Sequence, residues 1–215
     1  MLTRLKINSS QGIILAVITL LASIDFGCTS SRLTNVWKDP EFKNPPMTNM
    51  LIVAAKKSPV NRRIWEDVIA AELSAHGVTA TPSYRLFEDS IPDPDQVGAA
   101  VRDTKIDGVL FIRRLPTAIS TNYIPPSVKT EAVTRYNERK QTYSTYYRDV
   151  QQPGYTDTTK IVRHEVSIFT TQEGGHLVWA GTGEMIDPSS REAVRNEITG
   201  LVIPELARQG IIPAK

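Results

Sequence analysis

Met50-Leu51-Ile52-Val53-Ala54-Ala55 is an unbroken apolar run, stopped by Lys56 and Lys57. Its shortness and branched content predict a strand, and the lack of alternation predicts that both faces are covered. From Val60 to His76 the period changes. Ile64, Trp65, Val68, Ile69 and Leu73 recur at helical spacing and form one apolar stripe. Gly77 then stands where a left-handed cap closes a helix. Val78 to Tyr84 reads as a second strand. Asp93-Pro94-Asp95-Gln96 opens another helix: Asp93 caps, Pro94 suits the first helical position, and Gln96 completes a capping box. That helix turns Val97, Ala100 and Val101 inward and ends near Thr104. Asp107-Gly108 leads into a third strand, Val109 to Ile112. Strand–helix–strand–helix–strand in this order requires right-handed crossovers and a sheet that is at least partly parallel.

The pattern breaks from Leu115 to Lys160. Aliphatic residues become sparse, and Pro116, Pro125, Pro126 and Pro153 punctuate the segment. Yet it holds six of the seven tyrosines: Tyr123, Tyr136, Tyr143, Tyr146, Tyr147 and Tyr155. A structureless loop of this length is uncommon inside a compact domain, so residues 116–160 are expected to form an extended hairpin or a mobile flap. Order returns at Ile161. Val166, Ile168 and Thr170 alternate with more polar neighbours, Glu173-Gly174-Gly175 supplies a turn, and Leu177 through Met185 returns as the second arm of an antiparallel hairpin. Asp187-Pro188-Ser189-Ser190 opens a last helix, with Ser189 and Glu192 spaced as a capping box. Its stripe is Val194, Ile198, Leu201, Val202 and Leu206. Pro204 interrupts that stripe, and Gly200 removes the side chain its ring would crowd.

Working outward to the N-terminus, Arg4 and Lys6 precede an uncharged run, Gly12 to Ile24. A helix of that length reaches about 20 Å, and a hydrocarbon core needs roughly 20 apolar residues. The run is therefore expected to be a secretory signal, residues 1–27, and not a membrane span. The chain's single cysteine follows at once, in Asp25-Phe26-Gly27-Cys28-Thr29. Residues 28–49, with Pro40, Pro45 and Pro46, read as a polar tether from which Trp37 and Phe42 can dock back on the domain. Residues 50–215 then form a single α/β domain, a mixed three-layer or two-layer sandwich.

Composition narrows the functional classes. Lys+Arg number 25 against 23 Asp+Glu, so the charge balance gives no support to a nucleic-acid partner. One cysteine builds neither an internal disulfide nor a cysteine-based zinc site. His76, His164 and His176 lack the spacing that sets two ligands on one helix face, although His164 and His176 flank the hairpin and could meet across strands. Neither a nucleophile elbow nor a phosphate loop is present. Asp89, Asp93 and Asp95 belong to a loop and a helix cap. Arg62-Arg63 and Arg113-Arg114 read as surface charge. Glu165, Glu184 and Asp187, on or beside the hairpin, are the carboxylates to examine for hydrolysis; the other reading is a solvated sheet face balanced by Arg163 and Arg191.

Three features together carry a resemblance: Gly27-Cys28 with its polar continuation, the early unit ending in Glu72-Leu73-Ser74-Ala75-His76-Gly77-Val78, and the hairpin from Ser167 to Ile186 containing Trp179-Ala180-Gly181. The set resembles bacterial envelope lipoproteins of unknown function, whose domain is similar to the α/β sandwich of the TolB N-terminal domain and the curli-secretion lipoproteins. It covers about two thirds of Cys28 to Lys215. Asp25 and Phe26 depart from the lipoprotein pattern, which has Leu and a small residue there, and the tyrosine-rich insert falls outside it. Trp179 and Gly181 match as structural positions.

The resemblance implies acylation of Cys28, an outer-membrane location facing the periplasm, and a binding or assembly role without catalysis or cofactor. The implied partners are the membrane, through a lipid anchor, and other envelope components. Separately, the six tyrosines of residues 116–160 offer large rigid faces with a polar tip and are expected to form a contact surface for peptidoglycan or an envelope protein. The alternatives are a periplasmic hydrolase using the hairpin carboxylates and a soluble periplasmic accessory protein with an idle thiol. Each buried methylene of an acyl chain contributes about 0.8 kcal/mol, and two or more chains anchor stably. The mature protein is therefore expected to carry a lipid mass on Cys28 and to fractionate with membranes, and Cys28→Ala to become soluble. Intact-mass measurement and membrane fractionation check this.

Overall fold

The computed structural model of the chain describes residues 31–88 and 90–214; the expected signal segment, Cys28 and Asp89 lie outside the described residues. The elements run β1 (Ser31–Lys38), β2 (Asn49–Ala55), α1 (Pro59–Ala75), β3 (Thr79–Pro82), a 3-10 turn (Ser83–Arg85), α2 (Pro94–Val101), β4 (Gly108–Arg114), β5 (Ala118–Ile124), β6 (Ser127–Asn137), β7 (Thr142–Gln152), β8 (Tyr155–Thr170), β9 (Leu177–Ile186) and α3 (Arg191–Arg208). This is a mixed α/β fold. One sheet has the order β1-β9-β8-β4-β2-β3, with β5 added along the outer half of β8, and β6 and β7 pair separately.

The run that opened the sequence is the centre of the parallel part. β2 pairs in parallel with β3 on one side and with β4 on the other. Met50 through Ala54 are almost wholly buried because helices cover both faces. Met50, Ile52 and Ala54 point into a large core with Trp65, Ile69 and Leu73 of α1 and Ile198, Val202 and Leu206 of α3. Leu51 and Val53 point the other way, against Val97 and Val101 of α2. β4–β8, β8–β9 and β9–β1 are antiparallel, as a hairpin return requires. α3 continues through Pro204. Its N-cap is Ser190, which accepts from the Ala193 amide, one residue later than the Ser189 cap the spacing suggested.

The expected tether is corrected by the sheet. Ser31–Lys38 forms its outer strand, in register from Ser31 opposite Met185 to Lys38 opposite Trp179. Phe42 and Met47 enter the core, whereas Trp37 remains exposed. The domain therefore takes in residues from 31 onward. Proline density misled here, because Pro40, Pro45 and Pro46 all lie after the strand has ended.

Arg62 is a second correction, since it is buried and not surface charge. Its Nε meets Glu66 Oε1 at 3.1 Å across one helical turn, and both side chains are inaccessible. Glu66 also accepts from the Ala54 amide at 3.0 Å, Ser83 Oγ at 2.7 Å and the Tyr84 amide at 2.9 Å. Arg62 donates to the Phe87 and Ser90 carbonyls and to Ser83 Oγ. Such a pair survives burial because its remaining hydrogen-bond positions are filled. It ties the end of β2, the first turns of α1 and the chain after β3 into one unit.

Trp179-Ala180-Gly181 has a steric cause. Residues two apart on a strand share a face, and the fully buried Trp179 indole lies over Gly181. A Cβ there would stand 2.6 Å from Trp179 Cη2. Gly181→Ala is expected to cost about 1–3 kcal/mol through overpacking. Chemical denaturation, with Gly200→Ala at an open helical position as the comparison, checks it.

Candidate functional site

The tyrosine-rich insert is a nested β-arm. β5 pairs with the first seven residues of β8, Ala118 opposite Ile161 through Ile124 opposite Tyr155. The ladder is then broken at Pro125-Pro126 and Pro153-Gly154 and resumes as β6–β7, Ser127 opposite Gln152 through Asn137 opposite Thr142. The joint is tight: a Cβ on Gly154 would lie 2.6 Å from the Tyr123 hydroxyl and 3.0 Å from the Ile124 carbonyl. At about 3.4 Å per residue, the 11-residue strands β6 and β7 extend the arm by a further ~37 Å. At the tip, Asn137 Oδ1 accepts from the amides of Arg139 and Lys140.

All six predicted tyrosines are exposed, from 41% at Tyr146 to 75% at Tyr143 and Tyr147. The register sorts them. Tyr136, Tyr143 and Tyr147 share one face of β6–β7 with Val128, and the Tyr136 and Tyr143 rings lie 4.9 Å apart. Tyr146 is on the other face, beneath the Arg135 guanidinium. Tyr123 and Tyr155 lie on opposite faces of the β5–β8 segment. Cross-strand pairs hold the ribbon: Thr130 with Asp149, Thr134 with Thr145, and Arg148 with Glu131. It has no hydrophobic core of its own, and an isolated two-stranded hairpin is marginal in water.

The hairpin carboxylates are not gathered in a cleft. Glu165 is held by Arg113 at 3.0 Å and Glu184 by Arg32 at 2.9 Å, on the sheet face away from α1 and α3. Asp187 accepts from the Lys160 amide at 2.7 Å. The two hairpin histidines do not meet either: His164 lies opposite Gly183, while His176 approaches Asp39 at 3.7 Å. Among the described residues, no group of three His, Cys, Asp or Glu is placed to hold a metal. A recess of about 220 Å³ opens at the amino end of β2, lined by Phe42, Pro46, Met47, Asp107 and Gln172. Its one carboxylate, Asp107, already accepts from Thr48 and Asn49.

A second cluster escaped the sequence. β2 and β4 are adjacent and parallel, but the chain leaves β2 toward β3 and leaves β4 toward the arm. Ligands in open α/β sheets bind outside the carboxyl ends of strands at such a divergence. Here that edge of the sheet carries Lys56, directly after β2, and Arg114, the last residue of β4. Arg114 lies opposite His164 of β8. From α1, Trp65 stacks on His164 with ring centroids 4.7 Å apart, and Lys56 Nζ sits 4.3 Å above the same indole.

The electrostatics of this cluster are one-sided. His164 is 3% exposed, and its Nδ1 is buried without a hydrogen-bond partner. Burial, then Lys56 and Arg114, press its pKa down to about 3. Burial and Arg114 bring Lys56 down to about 8. Arg114 donates only to Thr117 Oγ1, at 2.9 Å, and neither Lys56 nor Arg114 is ion-paired among the described residues. The sequence showed two strands ending in cations, but only the register places them beside a buried histidine.

The fold thus defines a mixed α/β domain that carries a projecting β-arm and a cationic sheet edge at the arm's root. No family model and no curated protein sequence matches the chain. Among solved structures, it is similar to a variant of the PelC dodecamer from Paraburkholderia phytofirmans at 14% identity and TM-score 0.42, covering 87% of this chain and 99% of that one. A second PelC dodecamer structure from the same organism gives 13% identity and TM-score 0.42 over 84% and 98%. A PDZ domain protein from Parabacteroides distasonis gives 14% identity and TM-score 0.37, with 94% of this chain matching 40% of that one.

The depressed His164 pKa has a definite consequence for stability. Between its unfolded value of 6.5 and its folded value of about 3, the unfolded chain binds the extra proton. Stability must therefore fall as pH is lowered through that window. Urea midpoints are expected to drop more steeply between pH about 6.5 and about 4 for the wild type than for His164→Leu, which removes the linked proton.

Proposed function

We propose that the chain is a lipid-anchored protein of the bacterial envelope, held through Cys28 at the periplasmic face of the outer membrane. It acts there without catalysis, as a binding or assembly module. The lipoprotein-like Gly27-Cys28 and the resemblance to envelope lipoproteins with a TolB-like α/β sandwich support the location.

The observation that carries the binding role is the arm. Two long strands project from the domain and carry four of the six exposed tyrosines, three of them aligned on one face. Tyrosine brings a broad rigid face with a polar tip, at little conformational cost, which suits protein and glycan surfaces. A ribbon without a core also gains most of its order from what it touches. The partner is another envelope protein or peptidoglycan.

Ile124 and Tyr155 face each other at the end of the β5–β8 ladder, so an Asn-Gly turn can replace residues 125–154 and leave that ladder intact. The shortened protein is expected to unfold within a few degrees of the wild type. It is also expected to lose co-sedimentation with peptidoglycan sacculi and in-cell crosslinks to envelope proteins. Unchanged recovery in both assays would overturn the reading.

A further inference from the structure

We propose that Lys56, Arg114 and His164 form a binding site for a phosphate dianion, at the carboxyl ends of β2 and β4 with Trp65 as its floor. The proposal does not depend on what the arm contacts. Its geometric basis is the divergence of the chain between two adjacent parallel strands, where an open α/β sheet leaves a crevice. α1 begins at the same edge, with Ser58 as its cap, and brings the positive end of its dipole there.

The ligand class follows from a charge count. Lys56 directly follows one strand and Arg114 ends the neighbouring one, and both charges act on His164. The nearby acids are engaged elsewhere: Glu66 by Arg62, and Glu165 by Arg113 on the opposite sheet face. Gly183, opposite His164 on β9, brings no charge. Two neighbouring cations without a counter-ion among the described residues repel each other. A carboxylate would neutralise one of them; a phosphate monoester neutralises both.

The buried imidazole supplies the second, independent observation. Buried polar atoms are almost always paired, and an orphan calls for a missing partner. His164 Nδ1 is such an orphan among the described residues, in a ring stacked on Trp65, over which Lys56 also lies. A dianion there would offset the two positive charges that, after burial, press the His164 pKa down. Trp65, stacked on His164 and capped by Lys56, would report the event optically.

The test titrates the full-length chain with inorganic phosphate, with acetate as the monoanion comparison. It is read by Trp fluorescence and by the ring resonances of His164. Saturation, seen as a shift of both signals, is expected with phosphate and not with acetate, at a pH above the second phosphate ionisation, where the ligand is the dianion. Lys56→Gln and Arg114→Gln should each weaken binding about tenfold or more, with unfolding temperatures close to the wild type. Dihexanoyl phosphatidic acid, with dihexanoyl phosphatidylcholine as its control, separates the sources. Saturation by the lipid but not by inorganic phosphate would assign the site to a phosphate carried on a lipid. Saturation by inorganic phosphate would assign it to the phosphate itself. The proposal is overturned if neither saturates, or if the two glutamine variants bind as the wild type does. Arm-shortened protein should bind phosphate normally, so loss of the arm's contacts and loss of this site are separable.

Discussion

The sixteen residues of β8 live in two environments, and the architecture depends on that division. From His164 to Thr170 the strand is central, bonded to β4 on one side and β9 on the other. Val166 and Ile168 are buried there between sheet neighbours and helices. From Tyr155 to Ile161 the same strand lies outside the helical layers and bonds to β5. The arm is thus a continuation of the sheet and not a loop attached to it. Its root inherits the rigidity of the core: the Leu115 amide bonds to the Arg163 carbonyl at 3.0 Å, and Arg163 Nη2 bonds back to the Pro116 carbonyl at 3.1 Å. Beyond the root, only ladder bonds and cross-strand pairs remain.

The buried Arg62–Glu66 pair plays the corresponding part at the parallel end. The hydrophobic core would hold α1 against β2 without it, since Trp65, Ile69 and Leu73 supply the apolar area. The pair adds direction. Glu66 binds the Ala54 amide just before β2 ends, and Arg62 gathers the carbonyls of Phe87 and Ser90. Removing one partner would leave the other charge buried and unpaired, a loss of about 3–5 kcal/mol. Its place one helical turn from Trp65 means that Lys56 and the indole beneath it rest on a fixed support.

How far this could be read from the sequence depended on the range of the interaction. The elements from Met50 to Ile112 were legible because periodicity and capping are local: Asp93 and Gln96 form the reciprocal capping box their spacing announced. The hairpin was legible for the same reason. Pairings over long separations were not. Nothing within Ser31–Lys38 announces a partner some 150 residues away, and its alternation is broken by the register shift between Thr34 and Trp37, where Asn35 takes a positive φ. Arg62 was misread because its environment comes from residues 66, 83, 87 and 90 together. The tyrosines were visible as a composition, but their division into a group of three and three apart is a matter of register. Lys56, Arg114 and His164 were each visible, and nothing local joins them.

The arm root and the cationic edge share a residue, and this bears on how the molecule is organised. Arg114 ends β4, stands opposite His164 and donates to Thr117 on the chain that enters β5. It therefore belongs both to the charge cluster and to the arm's anchorage. Arg113, next to it, faces the other side of the sheet and is neutralised by Glu165. Alternation along one strand thus separates a satisfied arginine from one whose charge is unopposed. The exposed Arg114 keeps its charge in solvent, while its neighbour across the ladder, His164, is buried and held neutral by burial and by the two nearby cations. The repulsion between Lys56 and Arg114, seen in the lowered pKa of Lys56, thus falls on the end of the domain where the arm emerges.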